Sequence, residues 1–291
     1  MAISRAQLVK ELEPGLNALF GLEYKRYDNQ HAEIYTNESS DRAFEEEVML
    51  SGFANANVKV EGSGVNYDQS QETYTARYTH DTIALAFAIT EEAIEDNLYD
   101  RISSRYTKAL ARSMSNAKQV KAAAPLNNGL PTADGFDSGD GVSLFNTAHT
   151  TVSGTNVKNT LTTQADLNET SLEQALIDIA AFTDERGLRV AAKGVKMIIP
   201  SANQFSAERL LKSQGRTGTA DNDINAVASM GMVPQGYRVN NFLTDSDSWY
   251  IITDCPNGMK MFTRAPLTTA MEGDFDTGNV RYKARERYSF G

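Results

Sequence analysis

Ile83-Ala84-Leu85-Ala86-Phe87-Ala88-Ile89-Thr90-Glu91-Glu92 changes its period at a single residue, and that change decides the fold. Up to Ile89, large and small side chains alternate strictly, the pattern of a strand with one bulky apolar face and one flat face. Thr90 then reads as an N-cap, followed by Glu91, Glu92, Glu95 and Asp96, carboxylates that favour the positive end of a helix dipole. Ile94, Leu98, Ile102, Tyr106, Leu110 and Met114 recur every four residues, Lys118 and Lys121 stand near the end, and Pro125 predicts a stop. A helix over 90–121 spans roughly 50 Å at 1.5 Å per residue. Its strict four-residue repeat winds the buried stripe around the axis, across more than one contact surface.

Upstream, the alternation predicts a hairpin. Val58-Lys59-Val60 leads through Glu61-Gly62-Ser63-Gly64 and Asp68-Gln69-Ser70-Gln71 to Thr73-Tyr74-Thr75-Ala76-Arg77-Tyr78. Its tip is polar on both faces, so the ribbon has no core of its own, and a two-stranded ribbon is marginal alone in water. Before it, residues 4–27 carry Leu8, Leu12, Leu16, Leu19 and Phe20 at helical spacing, interrupted at Pro14-Gly15, which predicts a kinked amphipathic arm. Residues 28–43 read as irregular. Asp41 to Leu50 reads as a short helix exposing Glu45, Glu46 and Glu47.

Beyond Pro125 a long loop, Leu126 to Val142, leads into a mixed α/β pattern. Thr170 to Glu173 forms a capping box for a helix with Leu172, Leu176, Ile179 and Ala180 on one face and Gly187 as its stop. Val195–Ile199 predicts a buried strand, Ala202–Ser213 and Asn225–Met230 helices, and Gln214–Asp223 a polar loop between them. Tyr237–Phe242, Trp249–Thr253 and Met259–Thr263 predict three strands of one compact sheet. In the last strand, Val280 to Phe290, a cationic row of Arg281, Lys283, Arg285 and Arg287 opposes Val280, Tyr282, Ala284, Tyr288 and Phe290. Two readings of that row stand: an exposed edge protected by charge, or an intersubunit seam against acidic residues such as Glu45, Glu46 and Glu47 of a neighbour.

Composition narrows the function classes. A net charge of −10 and pI near 4.9 disfavour a general nucleic-acid binder, which needs clustered cations. Cys255 is the only cysteine, so neither an internal disulfide nor a thiolate metal cluster forms within one chain. No signal peptide or membrane-length apolar run is visible, which predicts a soluble, intracellular product. His31, His80 and His149 lack metal-site spacing, no nucleophile elbow or P-loop occurs, and Asp134, Asp137 and Asp140 miss the spacing of a calcium loop. No catalytic, cofactor or metal site is expected.

The order of parts, from amphipathic arm to protruding ribbon, long helix, α/β lobe and return strand, resembles the major capsid protein of tailed bacteriophages, with the Hong Kong ninety-seven phage capsid fold. The matching residues are Glu61-Gly62 and Tyr67-Asp68 at the tip of an extended loop, and Phe87-Ala88-Ile89-Thr90-Glu91-Glu92 entering a spine helix. Leu144 to His149, Leu243-Thr244-Asp245 before Trp249, and Arg285-Glu286-Arg287-Tyr288 complete the resemblance. It implies an α+β fold with an N-terminal arm (1–40), an extended loop or E-loop (53–82) and an axial domain (166–263). The peripheral domain would comprise 41–52, 83–165 and 264–291, with its spine helix at 90–121.

The resemblance also implies self-assembly as hexamers and pentamers into an icosahedral head around double-stranded DNA, held without sequence-specific contact. Shell expansion would move the loop and bend the spine helix. Expected intersubunit contacts are Lys59, Glu61, Tyr67 and Arg77 of the loop, Glu45 to Glu47, and the cationic row. Scaffolding, portal and decoration proteins are the expected partners, no membrane is involved, and assembly would occur in the bacterial host cytoplasm. The arm begins at once where some relatives carry a scaffolding segment, so a separate scaffolding protein or none is expected, without prodomain removal. Lys59 is the only lysine near the loop, and no catalytic carboxylate announces itself beside it, so no covalent cross-link is expected. Two alternatives remain: an encapsulin-type compartment shell of the same fold, and a soluble α/β enzyme whose hairpin is an active-site flap.

Overall fold

The computed structural model describes residues 5–90, 92–93, 99–130, 136–216, 223–274 and 277–291. In chain order the elements are α1 (Arg5–Arg26), β1 (Thr36–Ser39), β2 (Phe44–Leu50), β3 (Glu72–Thr79), β4 (Asp81–Ile89) and α2 (Tyr99–Asn127). There follow β5 (His149–Thr150), β6 (Asn156–Val157), α3 (Glu169–Ala180), β7 (Gly194–Ile199), α4 (Gln204–Lys212) and α5 (Ala226–Met230). Last come β8 (Tyr237–Val239), β9 (Tyr250–Thr253), β10 (Lys260–Gly273) and β11 (Val280–Phe290). They form two compact units, one of residues 1–45, 78–122 and 260–291, the other of 46–77 and 123–259.

The first unit is a four-stranded sheet in the order β1-β10-β11-β4, packed on helices. Leu16 and Phe20 of α1, Leu110, Ala111 and Met114 of α2, and Tyr282 and Ala284 of β11 make its core, with Ile83 and Phe87 of β4 against them. This contact explains why α1 runs unbroken through Pro14 and Gly15, where the sequence predicted an interruption. Burial of Leu16 and Phe20, each of the order of 1.5–3 kcal/mol, offsets the proline's cost in the helix. Asn17 Oδ1 adds a polar anchor, accepting from Thr269 Oγ1 and Tyr282 Oη at 2.8 Å each.

Thr90 caps as expected, its Oγ1 accepting from Ala93 N at 3.4 Å. Ile94 and Leu98, and the side chains of Leu8, Leu12 and Ile102, lie outside the described residues. The stripe that α2 buries keeps Leu110 and Met114 of the four-residue repeat but not Tyr106. Tyr106 is 51% exposed, while Ser103, Thr107, Leu110, Ala111, Met114, Ser115, Gln119 and Ala122 turn inward. The helix keeps its 3.6-residue period and buries small polar residues where a fixed spacing of four would have drifted off the sheet.

Three expectations about the chain up to the loop are corrected. Asp41 to Leu50 is not a helix: residues 44–50 form β2, which pairs with β3. A partner strand satisfies its backbone, whereas three adjacent like-charged glutamates offer a helix no compensating pairs. The first arm of the hairpin is therefore β2, not Val58–Val60, and residues 51–71 carry no strand. The segment read as irregular before it also contains a strand, β1, parallel to β10 from Thr36 beside Lys260 to Ser39 beside Thr263.

The second unit centres on the sheet β8-β7-β9, with α3, α4 and α5 burying Leu172, Leu176, Ala207, Leu210 and Val227 against Met197 and Ile199. The capping box sits two residues earlier than predicted: Asn168 Oδ1 accepts from Ser171 N at 2.8 Å, and Ser171 Oγ accepts from Asn168 N at 3.0 Å. The helix ends at Ala180, and Gly187 occupies a left-handed turn (φ 81°) farther on. The strand at Met259–Thr263 belongs elsewhere, as the start of β10 in the first unit's sheet.

Pro125 does not end α2, which continues to Asn127. Partners in the second unit hold the last turn. Tyr250 Oη donates to Leu126 O (3.0 Å), Asn127 Nδ2 to Phe242 O (3.0 Å), and Thr244 N to Asn127 Oδ1 (3.0 Å). The chain then turns at Gly129, where an added Cβ would meet Pro125 O at 2.6 Å and two Phe145 ring carbons at 2.8 Å. Because the nearest atom is backbone, Gly129→Ala should destabilise the protein by about 1–3 kcal/mol, read as a lower denaturation midpoint.

Candidate assembly surfaces

The extended loop is fixed at its base and bare at its tip. At the base, Ser51 N donates to Gln71 O (2.8 Å), Ser70 Oγ to Ser51 O (2.6 Å) and Gln71 N to Ser51 Oγ (2.8 Å). Arg186 grips both legs, donating from Nε to Gly52 O (3.2 Å) and from Nη2 to Gln69 O (2.8 Å). Asp68 Oδ2 accepts from Ala54 N at 2.7 Å and Oδ1 from Gln69 N at 2.9 Å, and these backbone donors hold its carboxyl below the usual range. Tyr74 Oη donates to Thr150 O (2.7 Å). Farther out, a turn closed by Ser63 N to Val60 O (3.1 Å) with Gly62 left-handed reverses the chain. Val58 is 94% exposed, Val60 69% and Tyr67 97%, and Phe53, Val65, Lys59 and Glu61 are exposed with them. Apolar side chains so placed mark an interaction surface.

Of the expected contact residues, Lys59, Glu61 and Tyr67 stand free of the fold, and Arg77 does not. Arg77 Nη2 pairs with Glu46 Oε1 across β2 and β3 at 2.6 Å, and Glu45 Oε1 accepts from Ser40 Oγ at 2.6 Å. Glu47 is also engaged within the chain. This acidic run is thus committed locally.

The cationic row is not on an edge. β11 lies between β10 and β4, so the reading as an edge guarded by charge is withdrawn. Arg281, Lys283 and Arg285 do project from one face, Arg281 paired with Asp274, whereas Arg287 is half-buried. Directly beside them on β4 stand Ala88, Ala86 and Ala84.

On the opposite face of β11, Glu286 is 1% exposed, a position the sequence reading passed over. Its Oε2 meets Lys118 Nζ of α2 at 3.0 Å, and that ammonium stands 5.0 Å over the Tyr288 ring. Burial pushes the Glu286 carboxyl up, against the pull of Lys118, and burial beside Glu286 also raises the Tyr24 and Tyr288 phenols. One signal was available: a carboxylate at an apolar position of a strand requires a cation facing it.

The histidines are structural. His31 Nδ1 meets Gln119 Nε2 at 3.0 Å, and His149 Nδ1 meets Asp140 Oδ2 at 2.7 Å. Asp140 is therefore taken, Asp134 lies outside the described residues, and no cluster of three His, Cys, Asp or Glu residues able to hold a metal occurs among those described. Cys255 is free and half-buried. No described helix is long and apolar enough to cross a membrane.

His80 bridges Ser289 Oγ (3.0 Å) and Ser40 Oγ (2.9 Å). Burial lowers its pKa, Arg287 and Arg264 add to this, and Glu45 and Asp81 oppose it. Burial, with Lys118, also lowers His31. Both imidazoles bind protons more weakly folded than unfolded. Their contribution is complete above the unfolded value of about 6.5 and is lost as pH falls through the folded values. His80→Gln should flatten the fall in denaturation midpoint measured between pH 8 and 5.

A helix-backed sheet in one unit and, in the other, an α/β lobe with a clamped, bare-tipped loop make an α+β chain, and its fold is the Hong Kong ninety-seven capsid fold. The model of the phage capsid protein family matches residues 73–291, and the chain belongs to that family. Among solved structures, the capsid of Myoviridae phage XM1 is similar over 89% of this chain and 85% of its own (12% identity, TM-score 0.51). The capsid of an empty GTA particle matches over 91% and 86% (14%, 0.51), and the virus-like particle from Pyrococcus furiosus over 94% and 92% (10%, 0.51). No curated protein matches in sequence. The chain is a structural capsid protein.

Proposed function

We propose that copies of this chain assemble as hexamers and pentamers into the icosahedral head of a tailed phage, enclosing double-stranded DNA. The observation that carries this reading is the loop of residues 51–71, clamped at its base by Arg186 and bearing exposed valines and Tyr67. A second copy supplies the surface that these side chains lack. On this reading residues 1–40 form the N-terminal arm, 53–82 the E-loop, 41–52, 83–165 and 264–291 the peripheral domain, and 166–263 the axial domain, less residues 260–263, which start β10 of the peripheral sheet. Many weak heterologous contacts that close on themselves hold such a shell by mass action. Assembly in the host cytoplasm, with scaffolding, portal and decoration partners, belongs to the same proposal, as does a structural rather than catalytic role.

Light scattering behind size-exclusion chromatography tests it. Purified protein should elute as megadalton particles or as capsomers that convert to them. A stable monomer or dimer at high concentration would overturn the reading and favour the enzyme alternative. The family match is to phage capsids, so the encapsulin alternative is not adopted; particles holding cargo protein and no DNA would restore it.

A further inference from the structure

The second unit holds a cleft of about 480 Å³, lined by β9, α3, the turn before β9 and the segment 158–166. Its apolar part is largely aromatic. Phe145 and Tyr250 stand 5.1 Å apart between ring centroids, with Trp249, Leu161 and Ile179 beside them on the lining. Trp249 Nε1 donates to Ala165 O (3.0 Å), which fastens the 158–166 segment to the start of β9. Asn159 fastens its other end, donating from Nδ2 to Leu144 O (2.6 Å) and accepting at Oδ1 from Asn146 N (2.9 Å). Walls bonded to one another in this way make a pre-formed cleft, of a size that takes a small organic molecule.

Four carboxylates line the same cleft, those of Asp166, Asp178, Asp245 and Asp247, against a single cation among the described residues, Lys158. Lys158 Nζ is 2.7 Å from Asp178 Oδ2 and 3.0 Å from Thr162 Oγ1, so that carboxylate is answered. Asp245 Oδ1 accepts from Asp247 N (3.1 Å), and Asp247 Oδ1 from Ser246 Oγ (3.2 Å). No cation among the described residues pairs with Asp166, Asp245 or Asp247. Burial raises the Tyr250 phenol, and the Asp245 charge adds to this against a bond with Ser248, so the acidic field reaches the aromatic wall.

Ring faces and uncompensated carboxylates in one cleft select an organic cation. An ammonium gains from both, while an alkyl stem covers the apolar wall that a bare metal ion would leave exposed. Lys158 is itself an example, an alkyl stem on the lining with its ammonium on Asp178. Three further carboxylates call for more than one further ammonium. We propose that this cleft binds a linear aliphatic polyamine, its methylenes over Phe145, Trp249 and Tyr250 and its ammonium groups on Asp166, Asp245 and Asp247. The site lies within one chain and goes beyond the shell reading, on which it does not depend. A chain of net charge −10 draws such cations toward it.

Trp249 is the only tryptophan, so intrinsic fluorescence reports on this cleft. Spermidine added at fixed ionic strength to the full chain, as nuclease-treated particles or dissociated, should change that fluorescence saturably. Equilibrium dialysis should find one spermidine held per chain. Asp245→Asn with Asp247→Asn should weaken binding about tenfold, and added salt should weaken it in the wild type. Glu272→Gln, at an exposed carboxylate of β10 in the other unit, should leave it unchanged. If the double variant does not fold, Asp166→Asn, which leaves the bonds of the 245–247 turn in place, should show the same direction of change. No fluorescence change together with no retained spermidine would overturn the assignment, as would an equal response to magnesium chloride or undiminished affinity in the asparagine variants. Tighter binding of a lysine-bearing peptide than of spermidine would also overturn it and give the cleft to a protein segment. Absence of particles would sink the shell reading alone, since the titration is read equally on the dissociated chain.

Discussion

Lys118→Met should cost about 3–5 kcal/mol of stability near neutral pH, because it leaves the Glu286 carboxylate buried with no counter-charge. Lys118 Nζ is 3.0 Å from Glu286 Oε2, and Glu286 Oε1 has no other partner among the described residues. The pH dependence follows from the direction of the shift. Burial raises the Glu286 carboxyl, so its protonated form suits the folded state, and the cost of the charged form grows as pH rises through the folded value. Without Lys118 that value rises further. The deficit of the variant relative to wild type should therefore be greatest at pH 7–8 and shrink on acidification. Adding Glu286→Leu to Lys118→Met should recover most of the loss, since an apolar pair of similar volume needs no charge compensation. Denaturant midpoints of the single and double variants across pH check all three outcomes. A deficit independent of pH would mean that lost packing over the Tyr288 ring, not the unpaired carboxylate, dominates.

Deleting residues 53–69 and joining Gly52 to Ser70 should abolish particles while leaving the chain folded. The base bonds of Ser51 with Ser70 and Gln71 survive the deletion, as does the β2–β3 ribbon. The deleted residues contribute little to either core, since Val58, Val60, Val65 and Tyr67 are exposed. What is lost is the surface offered to other copies. Sedimentation should show only small species, with a melting temperature close to wild type. Particles of normal size from the truncated chain would remove the loop from the assembly mechanism.

Both effects depend on features that differ in how far the sequence reveals them. The exposed tip was legible, because a polar, glycine-rich stretch between alternating segments cannot fold onto itself. So was the switch at Thr90, where the period changes and the hydroxyl accepts from Ala93 N. The Lys118–Glu286 pair was not, because nothing local connects a residue in the middle of a helix with one on the last strand. The same holds for β1, whose four exposed residues carry no alternation and become a strand only because β10 runs beside them. At Asp41 to Leu50 the three glutamates suggested a solvated helix face, but a strand partner was available, and Glu46 pairs with Arg77 across it.

The sequence by itself determined the change of period at Thr90, the buried strand ending at Ile199 and the helix ending at Met230, because caps, turns and periodicity act within a few residues. It determined too that the loop is without a core of its own. Tertiary structure alone decided which strands are neighbours. It moved β10 out of the α/β lobe and set β11 between β10 and β4, which turned the cationic row from a guarded edge into the exposed face of a central strand. It also carried α2 past Pro125, where Tyr250 and Asn127 bond the last turn. The physical reason is common to all of these. Pairing and packing join residues far apart in the chain, and their free energy outweighs a local preference wherever the two disagree.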